Sequence, residues 1–174
     1  MKRLMVLFLV VGLVISGASF ALAEALTLDL VKQKVLDAAK LLEAEGDAAI
    51  PKIKDEKGAF RFADGEGYIW IHDMDGKMIM HPVKPALDGQ NVLSMTDPNG
   101  FTLFAAMNDV AENNGQGWVA YKWPKPSQKD ASDKVSFVKL VKKDGKSYVV
   151  GCGMYDVTVA DIKSKFAGDA VYEE

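Results

Sequence analysis

The stretch YIWIHDMDGKMIMHP, Tyr68 to Pro82, is the part of the chain with the fewest ways to fold. Strand side chains alternate between the two faces of a sheet, so Tyr68, Trp70 and His72 share one face while Ile69 and Ile71 share the other. One face is left free for polar work and the other packs. Asp73 to Lys77 reads as a hairpin connector, with Asp75-Gly76 supplying the positive φ of a tight reversal, and Met78 to His81 reads as the returning strand. Pro82 lacks the N–H that a ladder needs and ends it. His72 and His81, the only two histidines of the chain, thereby fall at the far ends of neighbouring strands. Aromatic strand formers in such a hairpin are equally compatible with ordinary sheet packing. The rest of the chain has to decide between core and site.

Upstream, Met1 to Ala23 has the form of a secretory signal peptide: Lys2 and Arg3, an apolar run from Leu4 to Ile15, and Ala21-Leu22-Ala23 as a small-x-small cleavage site. The apolar run is interrupted by Gly12, Ser16 and Gly17 and falls short of the ~20 residues of a spanning helix. Cleavage after Ala23 is expected, leaving a periplasmic or secreted domain over residues 24–174, long enough for a core of its own. Loss of Lys2 and Arg3 from the 21 basic residues leaves 19 against 24 acidic ones, a net charge of −5. Without a basic stripe, such a chain is a poor partner for nucleic acid or anionic membranes. Cys152 is the only cysteine and cannot make an internal disulfide; its place in the apolar run YVVGCGMY points to a buried, inert thiol.

From Leu26 to Glu45, apolar residues recur at threes and fours, with Thr27 as N-cap and Gly46 as stop, which predicts a long amphipathic helix over about 26–46. Residues 47–67, broken by Pro51, Gly58, Gly65 and Gly67, read as a short helix and a loop. Val83 to Gly100 is a long connection, of the length that in compact domains tends to be functional. Asp97-Pro98 resembles an N-cap followed by proline at the first helical position, predicting a helix from Phe101 to Asn114. Strands follow at Trp118–Trp123, Lys134–Lys142 and Ser147–Gly153, with Pro124–Asp133 as a polar excursion, and a terminal helix spans about 157–167. Val119, Tyr121 and Trp123 share one face of their strand. Without βαβ alternation the sheet should be antiparallel with helices on it, an α+β fold whose sheet and pocket occupy about 60–156.

The inventory excludes several chemistries. There is no HExxH, cysteine pair or third histidine for zinc, and a calcium loop begun at Asp73 would place Lys84 where its final acidic ligand belongs. No GxSxG elbow or serine triad is legible, and nearly all acids sit in turns or on polar helix faces, so neither a catalytic residue nor a cofactor is expected and the chain does not read as an enzyme. Small-ligand binding fits better, because the strands supply aromatic walls with polar tips: Tyr68, Trp70, Tyr121, Trp123 and Tyr155. For an anionic ligand, His72, His81 and Lys134 are the candidate donors.

The succession GYIWIHDMDGKMIMHPVKPALDGQNV, DPNG, a helix, GQGWVAYKWPKP, DKVSFVKL and GCGMYD resembles a single Cache domain of the kind found in bacterial extracytoplasmic sensors. The resemblance implies a PAS-like fold: a long N-terminal helix packed on a central antiparallel sheet, a loop-helix lid over a small pocket, and a short C-terminal helix. It implies a short organic acid such as acetate, propionate, lactate or pyruvate as ligand, with Tyr68, Trp70, His72, His81, Tyr121, Trp123 and Lys134 as pocket positions. Family members usually carry membrane helices and a signalling domain. The chain, ending at Glu174, is similar to a free-standing, exported version that would present its ligand to a separate membrane receptor or kinase. An alternative is an exported interaction module without a ligand, its pocket filled by side chains and its N-terminal helix used for homodimerisation.

Overall fold

The computed structural model describes residues 24–173, so the expected signal peptide lies outside the described residues. Helix α1, Leu28–Glu45, buries Val31, Val35, Ala38, Ala39 and Leu42 along one stripe. The Thr27 hydroxyl caps it by accepting the Leu30 N–H at 3.2 Å, and Gly46, at φ +60°, turns the chain away. A 3-10 turn at Gly46–Ala49 and helix α2, Ile50–Lys54, come next. A small antiparallel ribbon, β1 (Arg61–Phe62) with β2 (Gly67–Tyr68), then leads into the main sheet.

That sheet contains β3 (Trp70–Asp73), β4 (Met78–Met80), β5 (Gln116–Pro124), β6 (Ala131–Lys143), β7 (Lys146–Tyr155) and β8 (Val171–Tyr172), in the order β4-β3-β7-β6-β5-β8. Every pairing is antiparallel except β5 with β8, which is parallel. The sequence predicts no such last strand. Asp169 accounts for it: its carboxylate accepts the Trp118 indole N–H at 2.9 Å and pairs with Lys32 at 2.6 Å, which lays the following residues along β5. The excursion expected over Pro124–Asp133 is also shorter, because Trp123 pairs with Ser132 and Pro124 with Ala131.

Each face of the sheet has its own core. Helix α1 covers Ile69, Ile71, Trp118, Val135, Phe137, Val150 and Cys152, joined there by Ile162 of helix α4 (Val159–Lys165). Helix α3, Leu103–Asn114, and the segment before it cover Tyr68, Trp70, Val119, Tyr121, Trp123, Val138 and Val149. The period-two pattern of the opening stretch thus divides its residues between the two cores as the sequence predicts.

The start of α3 differs from the sequence expectation. Asp97 does not cap a helix; one carboxylate oxygen accepts the N–H groups of Asn99 and Phe101 at 2.8 and 3.1 Å, and the other accepts that of Lys122 at 2.9 Å. Asp97 to Gly100 close a turn, with Gly100 at φ +88°, and this delays the helix to Leu103 while fastening the lid to β5.

Two glycines make room beneath that lid. A Cβ on Gly151 would overlap the indole of Trp70, its register partner, and one on Gly153 would overlap Ser136 Oγ and Lys134 Cε. Both sit on the lid face of β7, opposite the face that carries Cys152. Gly151→Ala is therefore expected to displace Trp70 and destabilise the domain by about 1–3 kcal/mol. A thermal melt checks this, at ~2–4 °C per kcal/mol for a chain of this size, together with a shift in tryptophan fluorescence.

Candidate functional site

Strand register places Lys134 of β6 between Tyr121 of β5 and Tyr155 of β7. The residue is 2% exposed. Its ammonium donates to the Tyr68 hydroxyl at 2.9 Å and the Tyr155 hydroxyl at 3.4 Å, and lies 4.5 to 5.5 Å from the ring centroids of Tyr155, Tyr68 and Trp70. None of the ion pairs among the described residues includes it. Burial brings its pKa down from 10.5 to about 7, against an upward pull from Cys152 and with a lesser downward contribution from the Lys84 charge. The phenols cannot neutralise it, since burial pushes Tyr68 and Tyr121 well above the usual tyrosine range and both stay protonated.

His81 faces the same space from the end of β4. Its Nδ1 accepts the Lys84 backbone N–H at 2.9 Å, so in the neutral ring the proton sits on Nε2. Burial, reinforced by the charges of Lys134 and Lys84, lowers its pKa to about 3, and the ring is neutral at physiological pH. Its indole neighbour Trp70 lies 6.4 Å away, nearly parallel, and the Trp70 Nε1–H is buried without a partner.

Trp70, His81, Tyr121, Trp123 and Lys134 wall one cavity, together with Leu103 and Phe104 of α3. The cavity is small: about 10 Å³ is open to the centre of a water-sized sphere, room for about one water. Five of the seven residues named from sequence meet here. Tyr68 stands one layer back and holds Lys134 by its hydroxyl. His72 lies elsewhere. Its Nε2 donates to Asn108 Oδ1 at 2.9 Å, an orientation set by the Asn108 amide donating to the Met74 carbonyl at 3.0 Å, and its ring meets Phe104 edge-on at 5.2 Å. Burial lowers its pKa to about 4, so it serves as a neutral strut between β3 and α3 rather than as part of the cavity wall.

Leu103 and Phe104 were absent from the sequence candidates. Both belong to the buried stripe of α3, which is the signal that carries them. Larger clefts open to solvent elsewhere, one of about 520 Å³ between Asp47, Asp73 and Tyr148 and one of about 470 Å³ beside Arg61 and Tyr155. The second is lined by Arg61, whose Nη1 is buried without a hydrogen-bond partner and whose guanidinium lies 5.6 Å from the Tyr68 ring centroid. Among the described residues no group of three or more histidines, cysteines or acids is placed to hold a metal ion, and none of the described helices is long and apolar enough to cross a membrane.

A family model described as Cache domain matches residues 27–168. The methyl-accepting chemotaxis protein McpP of Pseudomonas putida is 39% identical over 104 residues, 60% of this chain and 18% of that protein. The sensor histidine kinase MctS of Rhizobium johnstonii is 41% identical over 90 residues, 52% of this chain and 19% of that protein. The match therefore spans less than a fifth of either relative. Among solved structures, a periplasmic sensor domain of a chemotaxis protein superposes with a TM-score of 0.60 at 33% identity, over 74% of this chain and 92% of that one. A Cache chemosensory domain described for its carboxylic acid recognition does so with a TM-score of 0.60 at 33% identity, over 75% and 91%. A methyl-accepting chemotaxis protein of Vibrio parahaemolyticus, at 24% identity and a TM-score of 0.61, over 73% of this chain and 86% of that one, shares the fold.

The isolated ammonium has a measurable signature. A lysine whose pKa is lower in the folded than in the unfolded chain is deprotonated only in the folded state between the two values, so stability rises with pH across that window. From about pH 7 to 8, before the unfolded Cys152 thiol is substantially ionised, urea melts should show stability rising by up to about 1.4 kcal/mol per pH unit. Lys134→Met should flatten this rise, and at pH 7 should be at least as stable as the parent, because a charge no longer has to be buried.

Proposed function

This chain belongs to the Cache domain family, whose relatives here are a chemotaxis receptor and a sensor kinase, and from that premise we propose that it is an extracytoplasmic sensing module for a short organic acid. One observation carries the assignment of the ligand: Lys134 is a buried cation whose hydrogen-bond partners among the described residues are neutral phenols. An ammonium taken out of water is costly unless an anion meets it. A carboxylate supplies that anion, through a charge-assisted hydrogen bond worth about 1.5–3 kcal/mol. The Nε2–H of His81 and the unpartnered Nε1–H of Trp70 offer two further donors on the same wall. With room for about one water as it stands, the aromatic site would have to widen only modestly for a guest of a few heavy atoms, such as acetate, propionate, lactate or pyruvate.

Admission of such a guest requires the wall to move, and the part of the wall without a side-chain cap is the first turn of α3, where Leu103 and Phe104 meet the cavity. Occupancy would then be passed on as a displacement of the lid, to a separate membrane receptor or kinase. Export to the periplasm follows from the signal-like first 23 residues and accords with the periplasmic description of a similar solved domain.

The small volume of the cavity favours a second function, an exported interaction module that dimerises through α1 and binds no small molecule. A lysine buried without an anion opposes it, since a cavity meant only to be filled would be more stable with an apolar side chain there. A panel of carboxylates from formate to hexanoate, with calorimetry on ligand-stripped protein, separates the two. At 100 times Kd the cognate acid should add about 2.7 kcal/mol, a rise of several degrees in Tm. Lys134→Met should abolish the response and His81→Ala should weaken it. Affinity should fall as pH rises above about 7, because the bound ammonium must then take up a proton. A folded, stripped protein that responds to no acid in the panel would leave the interaction module standing.

A further inference from the structure

We propose that Lys134 is also a nucleophile, whose Nζ forms a reversible imine with the carbonyl carbon of a small 2-oxo acid such as pyruvate held in the cavity. The proposal rests on the assignment of this cavity to organic acids, and it adds a covalent step that simple carboxylates cannot take. Four features of the geometry point to it. No carboxylate is paired with the amine to hold it protonated, and its polar neighbours are the hydroxyls of Tyr68 and Tyr155 at 2.9 and 3.4 Å. The Tyr68 phenol keeps its proton, so it can donate a hydrogen bond to a carbonyl oxygen brought against Nζ, where negative charge develops on attack, while the Tyr155 hydroxyl, held by donating to the Pro124 carbonyl at 2.9 Å, fixes the amine from its other side. The cavity leaves room for about one water, which limits hydrolysis of the product. The acid's carboxylate has donors of its own in His81 Nε2–H and Trp70 Nε1–H, so it need not consume the amine.

The step balances without a co-reactant. The Nζ lone pair bonds to the carbonyl carbon as the C=O π pair moves to oxygen, giving a carbinolamine. The C–O bond then breaks, the carbon–nitrogen double bond forms, and the two protons lost by the amine leave with the oxygen as one water. A desolvated lysine among aromatic groups is the setting in which an amine is nucleophilic at neutral pH. With its pKa near 7, about half of Lys134 is unprotonated there, whereas an ordinary surface lysine is unprotonated at the level of about one in a thousand or less. Lactate, with a hydroxyl in place of the carbonyl, can enter the same site but cannot form the imine.

The experiment uses the full chain at pH 7 with pyruvate and cyanoborohydride, which reduces an imine to a stable secondary amine, followed by intact mass measurement and peptide mapping. One reduced pyruvyl adduct is expected on the peptide carrying Lys134, on the order of 100-fold above any surface lysine. Acetate should suppress it competitively, and lactate with the same reductant should give none. Lys134→Arg, which keeps the charge and removes the nucleophile, should lose the adduct while surface labelling is unchanged. Should that variant fail to fold, acetate protection of the parent protein carries the same information. Pyruvate that raises Tm but leaves no adduct on Lys134, or adducts spread evenly over surface lysines, would overturn covalent capture and leave the organic-acid site intact. Neither a Tm response nor an adduct would remove both.

Discussion

An ammonium sealed among aromatic rings, with phenols but no anion beside it, is the constraint that the lid side of this domain is built around. Its desolvation is offset in part by the faces of Tyr68, Trp70 and Tyr155 and by two phenolic oxygens. Those rings can approach only because β7 presents glycine at both neighbouring positions of the same face, Gly151 under Trp70 and Gly153 under the lysine stem. The opposite face of the same strands needs no such concession. There Val150 and Cys152 pack directly against the α1 layer, and burial pushes the Cys152 thiol up to about 11, which leaves it unreactive.

The neutral histidines divide the remaining labour. His72 and His81 both lose their charge to burial, yet each has its tautomer fixed by a different neighbour. Asn108 takes the His72 Nε2–H and thereby ties α3 to β3. The Lys84 backbone N–H occupies His81 Nδ1 and turns the other nitrogen toward the cavity. His81 is itself held by Asp88, which accepts its backbone N–H at 2.7 Å and pairs through its other oxygen with Lys54 of α2 at 2.8 Å. The cavity is therefore linked by short polar contacts to the segment that follows α1, while His72 beside it ties the sheet to the lid helix.

Much of this was legible in the chain, and the boundary of legibility has physical causes. Period-two alternation assigned Tyr68, Trp70 and Ile69, Ile71 to opposite cores, and Thr27 and Gly46 bounded α1, because these are local effects of backbone geometry. Five of the seven candidate residues converge for the same reason, since facing alternation fixes which side of a strand they occupy. What alternation cannot fix is distance along the face. His72 shares a face with Trp70 but its partner is Asn108, 36 residues away, so strut and wall look alike in sequence. Asp97 has the residue types of a helix cap, and only the Lys122 N–H across the lid turns its carboxylate to another use. The parallel strand β8 depends on Asp169 reaching Lys32 and Trp118, contacts that no local pattern encodes.

The small volume of the cavity also bears on how a guest could be sensed. Helix α3 is fixed at its C-terminal end, where the Gly115 carbonyl accepts the Leu140 N–H at 2.9 Å, and in its middle by the Asn108 contacts to His72 and Met74. Its first turn has no side-chain cap, and that turn carries Leu103 and Phe104 onto the cavity. The free N–H groups at such an end are the least costly part of a helix to displace. The wall opposite is strand β6, paired along its length on both sides, which cannot yield without breaking the sheet. Room beside Lys134 would therefore open at less cost on the helix side than against β6, and the Phe101–Asp97–Lys122 hydrogen bonds tie that side of the lid to β5.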